Sequence, residues 1–179
     1  MQILGTFITE WEEGYQECKL LLEGKDGDPF HYARLLVDIC EYYRFDGWLL
    51  NFENKVDPEK VPTLLKWVKF LTEEQHRRCT GSLVIWYDSV TVEGNLIWQN
   101  ELNALNKAYF DESDGIFLNY AWRPKMLDAS LALLEQEGLT HRKGDIFVGT
   151  DVWGRGTYGG GGYDSFTALE EVYKRGMSA

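Results

Sequence analysis

The stretch Asp46-Gly47-Trp48-Leu49-Leu50-Asn51 returns in outline as Asp114-Gly115-Ile116-Phe117-Leu118-Asn119. In each, an Asp-Gly pair opens a short apolar run and an Asn closes it. The first belongs to an apolar run from Phe45 to Phe52, the second to one from Gly115 to Tyr120, and three more runs have the same texture: Ile3 to Thr9, Leu83 to Tyr87 and Ile146 to Thr150. They are continuous rather than alternating, the pattern of strands buried on both faces of a parallel sheet. Helical spacing fills the gaps, as in Leu35-Leu36-Ile39-Cys40-Tyr43, Leu64-Leu65-Val68-Leu71 and Leu127-Leu131-Leu134, the last introduced by Pro124 and closed by Gly138. A final helix is expected from Phe166 to Arg175, before Gly176.

Strand starts fall roughly 30 to 40 residues apart, the size of a right-handed β-α-β crossover. A repeated strand unit points to a (β/α)8 barrel, which has eight strands, about 250 residues and its chemistry at the carboxyl ends of the strands. Polar and aromatic residues gather at those ends: Glu10-Trp11, Asn51 with Glu53, Tyr87-Asp88, Asn119-Tyr120 with Trp122, and Asp151 with Trp153. Five units use up the 179 residues. The expected fold class is therefore α/β, of the (β/α)8 TIM-barrel type but incomplete, as one unit over residues 1–179. An open five-stranded parallel sheet with helices on both sides also fits the length, but leaves the polar residues at every strand end unexplained.

Composition narrows the partners. With 44% hydrophobic residues the chain is core-forming, and no run approaches the roughly 18 to 20 apolar residues of a membrane span. A net charge of −11, from 18 Lys+Arg against 29 Asp+Glu, leaves little to neutralise phosphates, so neither nucleic acid nor membrane is an expected partner. Seven Trp, ten Tyr and nine Phe fit a sugar-binding surface, because flat rings stack on the C–H faces of pyranoses. Cys18, Cys40 and Cys79 show neither disulfide nor zinc spacing and are expected to be reduced. The start, Met1-Gln2-Ile3-Leu4-Gly5, lacks the basic region of a secretory signal, so a cytoplasmic location is expected.

The chemistry centres on Phe45-Asp46-Gly47-Trp48-Leu49-Leu50-Asn51-Phe52-Glu53-Asn54. Residues two apart in a strand share a face about 6.6 Å apart, so Asn51 and Glu53 look into one cleft. Ordinary retaining glycosidases place two carboxyls about 5 to 5.5 Å apart. Here the acid's neighbour is a neutral amide, so the nucleophile must come from elsewhere, and a substrate 2-acetamido group can supply it through its carbonyl oxygen. Asn51 is suited to orient that group while Glu53 protonates the departing oxygen and later deprotonates water.

Asp46-Gly-x-x-x-Asn51-x-Glu53 resembles the chitinase strand motif Asp-Gly-x-Asp-x-Asp-x-Glu with Leu49 and Asn51 in place of two acids, and the Asn-x-Glu form is similar to that of glycoside hydrolase family 85. The resemblance extends through Leu4 to Trp11, Trp86-Tyr87-Asp88-Ser89, Leu96 to Leu102, Phe110-Asp111 with Asp114-Gly115, Asn119-Tyr120 with Trp122, and Val148 to Val152 through Arg155-Gly156. It implies an endo-β-N-acetylglucosaminidase cutting the β-1,4 bond of the N,N′-diacetylchitobiose core of N-glycans, on glycoproteins or free oligosaccharides. By that resemblance Glu53 is the general acid/base, Asn51 orients the acetamido group and Tyr87 hydrogen-bonds it. Trp98 and Trp122 match cleft aromatics, and Asn119, Asp151 and Trp11 join them as substrate-binding candidates. No metal or cofactor is implied. Family members carry further strands on both sides, so by this count strands one, two and eight lie outside the 179 residues, and a non-catalytic glycan-binding segment is the rival reading.

Other features have plainer expectations. Trp48, Trp67 and Trp86 read as core, Asp46 as a backbone clasp, and Asp46 and Asp88 as groups able to act on Glu53 by like charge. The G-x-G-x-x-G at Gly154 to Gly159 is not followed at once by a helix, so it reads as a loop over the sugar cleft, with Arg155 and Tyr158 as contacts, rather than a nucleotide site. The three histidines read as surface residues.

Overall fold

The computed structural model describes residues 2–179. Five parallel strands, β1 (Gly5–Glu10), β2 (Gly47–Glu53), β3 (Leu83–Tyr87), β4 (Gly115–Leu118) and β5 (Ile146–Val148), lie side by side in chain order. Between and after them run α1 (Trp11–Glu23), α2 (His31–Tyr43), α3 (Val61–Arg78), α4 (Lys107–Asp111), α5 (Pro124–Gln136) and α6 (Ser165–Lys174). Among the described residues the sheet does not close, and β1 and β5 are the outer of its five strands. Each of the five strands lies within two residues of its expected run.

Sequential order with right-handed crossovers places every connecting helix on the same side. The contacts agree. Trp48 Nε1 donates to Leu36 O of α2 at 3.2 Å, Phe52 packs edge-on against Trp67 of α3, and Trp86 stacks on Tyr109 of α4 at 4.0 Å between ring centres. Trp48, Leu50, Phe52, Val84, Trp86, Ile116, Leu118, Ile146 and Val148 all belong to the single buried core. The arrangement with helices on both faces is therefore excluded. Much of the aromatic excess is spent inside, since Trp67, Trp86, Trp122, Tyr109, Phe52 and Phe110 are among the largest fully buried side chains.

The repeat has a mechanical cause. Asp46 receives the Ile3 N–H on Oδ2 at 2.7 Å and donates its own N–H to Ile3 O at 2.7 Å; Asp114 does the same to Val84, at 2.7 and 2.9 Å. Each aspartate thus clasps the preceding strand. The glycine that follows leaves room for the next one: a Cβ on Gly47 would lie 1.8 Å from Leu83 O, and one on Gly115 2.4 Å from Asp145 O. Gly47 also has φ +136°, a conformation that L side chains rarely adopt. Two apolar steps later the chain has turned Leu49 and Phe117 to the face away from the helices, and Asn51 and Asn119 follow them there.

That second face is lined in register. Thr6 pairs with Leu49 and Ile8 with Asn51, Leu49 with Ile85, and Tyr87 with Phe117 and Phe117 with Phe147. It is only partly covered, and Ile8 remains 47% exposed. Cys18 and Cys40 are buried free thiols and Cys79 is half-buried. Among the described residues no helix is long and apolar enough to cross a membrane.

Candidate active site

Asn51 and Glu53 meet on the uncovered face at the carboxyl end of β2. Asn51 Nδ2 donates to Glu53 Oε1 at 3.3 Å. A carboxylate accepts only, so the amide must turn its NH2 to Glu53 and its carbonyl elsewhere. Among the described residues that carbonyl, Oδ1, is buried without a hydrogen-bond partner. An orphaned buried acceptor is costly to keep, and it marks the spot where an N–H donor would be received. Glu53 also borders a cavity of about 520 Å³, whose wall includes Trp11, Tyr15, Asn54, Lys55 and Leu96. Trp11, 61% exposed, shares this space with the acid.

Tyr87 ends β3, the strand that pairs with β2. Burial pushes its hydroxyl well above the ordinary phenol range, and the negative charges of Glu53 and Asp88 push the same way. The phenol therefore stays protonated and can act as a donor. It donates to Asn119 Oδ1 at 3.2 Å. Half-buried Trp98 brings its indole N–H towards the same hydroxyl, outside hydrogen-bond geometry, and that N–H has no partner. Asn51, Glu53, Tyr87, Trp98 and Asn119 are thus collected at one end of the sheet.

Asp88 is tied into the backbone. Only 1% exposed, it accepts from the Gln99 N–H at 3.1 Å, the Asn100 N–H at 2.6 Å and Asn106 Nδ2 at 3.0 Å. Burial raises its pKa to about 6, against the pull of those donors. Asp46 lies at the other end of β2, so it is a clasp and not a neighbour of Glu53.

Comparisons with known proteins identify the family of the chain. The profile of Glycosyl hydrolase family 85 matches residues 1–179. The chain belongs to that family. A "Cytosolic endo-beta-N-acetylglucosaminidase 1" of Arabidopsis thaliana is 44% identical over 179 residues, covering 100% of this chain and 25% of its own length. A "Cytosolic endo-beta-N-acetylglucosaminidase" of Homo sapiens is 43% identical over 176 residues, covering 98% and 23%. The chain spans about a quarter of the curated relatives it matches. Among solved structures, the glycoside hydrolase domain of Endo-D from Streptococcus pneumoniae R6 superposes with a TM-score of 0.75 over 97% of this chain and 33% of its own, at 21% identity. A class V chitinase from Pseudomonas fluorescens Pf-5 does so with a TM-score of 0.57 over 82% and 48%, at 14% identity. At such identities the likeness is one of fold.

Two expected cleft residues of this family 85 chain stand elsewhere. Trp122 is 0% exposed; its Nε1 donates to Gly149 O at 2.8 Å and its ring stacks on Tyr158. It cannot offer an open face to a sugar. Asp151 is 5% exposed, and Arg155 holds its two oxygens at 2.9 and 3.1 Å, with the Arg155 and Trp153 N–H groups adding to the cage. The Arg155 guanidinium holds this carboxyl below the usual carboxylate range, so it is an organiser of the glycine-rich loop. Asn100, which sequence reading did not single out, links the site to Asp88. Its only sequence signal is its place in Trp98-Gln99-Asn100.

Proposed function

We propose that this chain is part of the catalytic domain of an endo-β-N-acetylglucosaminidase, hydrolysing the β-1,4 bond of the N,N′-diacetylchitobiose core of N-glycans. The observation that carries the reading is Asn51, donating to Glu53 at 3.3 Å while its own carbonyl is buried and unpaired. The amide N–H of a 2-acetamido sugar is the donor that Oδ1 lacks. Accepting it aligns the acetamido carbonyl oxygen beneath C1 and stabilises the positive charge that develops on the nitrogen.

In the first step Glu53, as the acid, gives its proton to the glycosidic oxygen while the C1–O bond breaks and the acetamido oxygen bonds to C1. The products are an oxazolinium ion on the glycan, its N–H still received by Asn51 Oδ1, and a free 4-hydroxyl on the remaining GlcNAc. In the second, the Glu53 carboxylate takes a proton from water, whose oxygen bonds to C1 as the oxazolinium ring opens and the neutral acetamide is restored. Two inversions give net retention. Tyr87, held protonated, donates to the acetamido oxygen and limits its rotation. Trp98 and Trp11 supply flat apolar walls.

The five strands read as an arc of a (β/α)8 barrel, with the uncovered face as its interior. Supporting this, the Ser178 backbone pairs in parallel with β5, Ser178 N–H to Ile146 O at 3.0 Å and Val148 N–H to Ser178 O at 2.8 Å. At the other edge a groove of about 440 Å³ runs along β1 and α1. The curated relatives are named cytosolic, and a cytosolic location is proposed here too.

Glu53→Gln in the whole protein tests the reading. Release of glycan from a high-mannose glycopeptide should fall by at least about a thousandfold, since proton transfer and the lone pair for water are both lost. Activity within tenfold of the parent would refute the assignment.

A further inference from the structure

We infer that Asn100 is a positioning residue for the reaction, holding the Tyr87 hydroxyl in place through Asn119. The inference rests on the function proposed above. Asn100 Oδ1 accepts two N–H groups, from the Ala121 backbone at 2.9 Å and from Asn119 Nδ2 at 3.0 Å. The Ala121 N–H can only donate, so the atom facing it must be the Asn100 oxygen. Asn119 must then face the same oxygen with its NH2. Its carbonyl is left pointing at Tyr87, where it can only accept. One backbone N–H thus sets the sense of every bond as far as the phenol.

The last bond of the series is 3.2 Å long, against about 2.7 to 2.8 Å for an ordinary O–H···O bond. It is strong enough to choose a rotor position and weak enough for a substrate carbonyl to accept the hydroxyl's hydrogen bond in its place. The relay therefore presents a hydroxyl that is aimed and releasable, which suits a group that must meet an acetamido oxygen only when substrate is bound.

The other end of the relay is fixed by backbone strain and burial. Asn100 has φ +58°, a left-handed conformation uncommon outside glycine, although Asn tolerates it better than most residues. Its N–H is seated on Asp88 Oδ2 at 2.6 Å, and its Nδ2 donates to Trp98 O at 3.2 Å. Asp88, the residue after the last of β3, is buried and holds three N–H donors. The position of Tyr87 is thereby referred to the strand it grows from, by a path through the loop that also carries Trp98.

A double-mutant cycle tests the relay in the whole protein. Asn100→Gly keeps a residue at ease with positive φ and removes only the side-chain amide. It should lower kcat on a high-mannose glycopeptide about tenfold, the worth of one lost positioning bond, with KM within about twofold. Tyr87→Phe removes the group acted upon, and adding Asn100→Gly to it should cost less than about a further twofold. Losses that multiply in the double variant, or a kcat for Asn100→Gly within twofold of the parent, would overturn the relay. If Asn100→Gly does not fold, Asn119→Ala combined with Tyr87→Phe must show the same lack of further loss, and multiplying effects there overturn it equally. An inactive parent protein would instead overturn the glycosidase reading on which the relay depends. Parent activity with a multiplying cycle would overturn the relay alone.

Discussion

Asn51 and Glu53 stand two residues apart on β2, and the amide of the first donates to the carboxylate of the second at 3.3 Å. In the proposed reaction the pair divides the work by chemistry: Glu53 moves a proton, while Asn51 has no proton to exchange and, among the described residues, a buried carbonyl with no partner. Asn51→Ala should therefore lower hydrolysis of glycan by about a hundredfold or more while leaving use of a preformed oxazoline donor, because only oxazoline formation needs the amide. Paired assays on a glycopeptide and on an oxazoline sugar would check this. Equal loss in both would mean that Asn51 serves some other step.

Trp11 and Trp122 should separate binding from folding. Trp122→Ala empties a fully buried site and strands the Gly149 carbonyl, and should cost about 3 to 5 kcal/mol of stability. Trp11→Ala should leave stability within about 0.5 kcal/mol and raise KM for the glycan. Urea unfolding and steady-state kinetics on both variants decide it. A stable Trp122→Ala with raised KM would place that ring in the cleft after all.

Asp88 gives a pH dependence of defined sign. Its pKa is about 6 in the folded chain and near 3.8 when solvated, so the folded state holds the proton more tightly. Its contribution to stability is greatest below the solvated value and is lost as pH rises through 6. The stability of the parent relative to Asp88→Asn should accordingly decline between about pH 4 and 6 and level off above. Thermal unfolding of the two proteins across that range would show it, and a difference that does not vary with pH would contradict it.

Gly47→Ala should prevent β2 and β3 from pairing. A Cβ 1.8 Å from Leu83 O cannot be accommodated by side-chain movement, because the obstacle is backbone, and φ +136° adds strain. A loss of at least about 3 kcal/mol is expected, read as insoluble product or a collapsed unfolding transition. A variant that unfolds at the parent's midpoint would show that the strand can shift.

The strands were legible because both of their faces carry apolar side chains, although only the helix-covered face is fully buried; Trp48 and Trp86 were legible as core from those runs, and Trp67 from the helical spacing of its neighbours Leu64, Val68 and Leu71. The Asp-Gly repeat was visible, but not its cause, since the clasp joins residues 43 and 30 positions apart. Helix α1 escaped notice: its acidic opening and Gly14 obscure the period, and the glycine is there because a Cβ would lie 2.7 Å from the Thr9 backbone. Trp122 misled because polar neighbours surround it in sequence, while its cover, Tyr158, comes from a distant loop. Asn51 with Glu53 could be read from alternation alone. Asn100 could not, because its role depends on a positive φ and on partners in two other segments.

The seating of Tyr158 on Trp122 limits what the glycine-rich segment can do. Thr157 Oγ1 accepts the Asp151 N–H at 3.3 Å, so this segment is riveted near its middle as well as at its ends. With Arg155 caged on Asp151 and the Tyr158 ring seated on Trp122, the segment has two neighbouring anchors and forms a rim to that end of the sheet rather than one long flap.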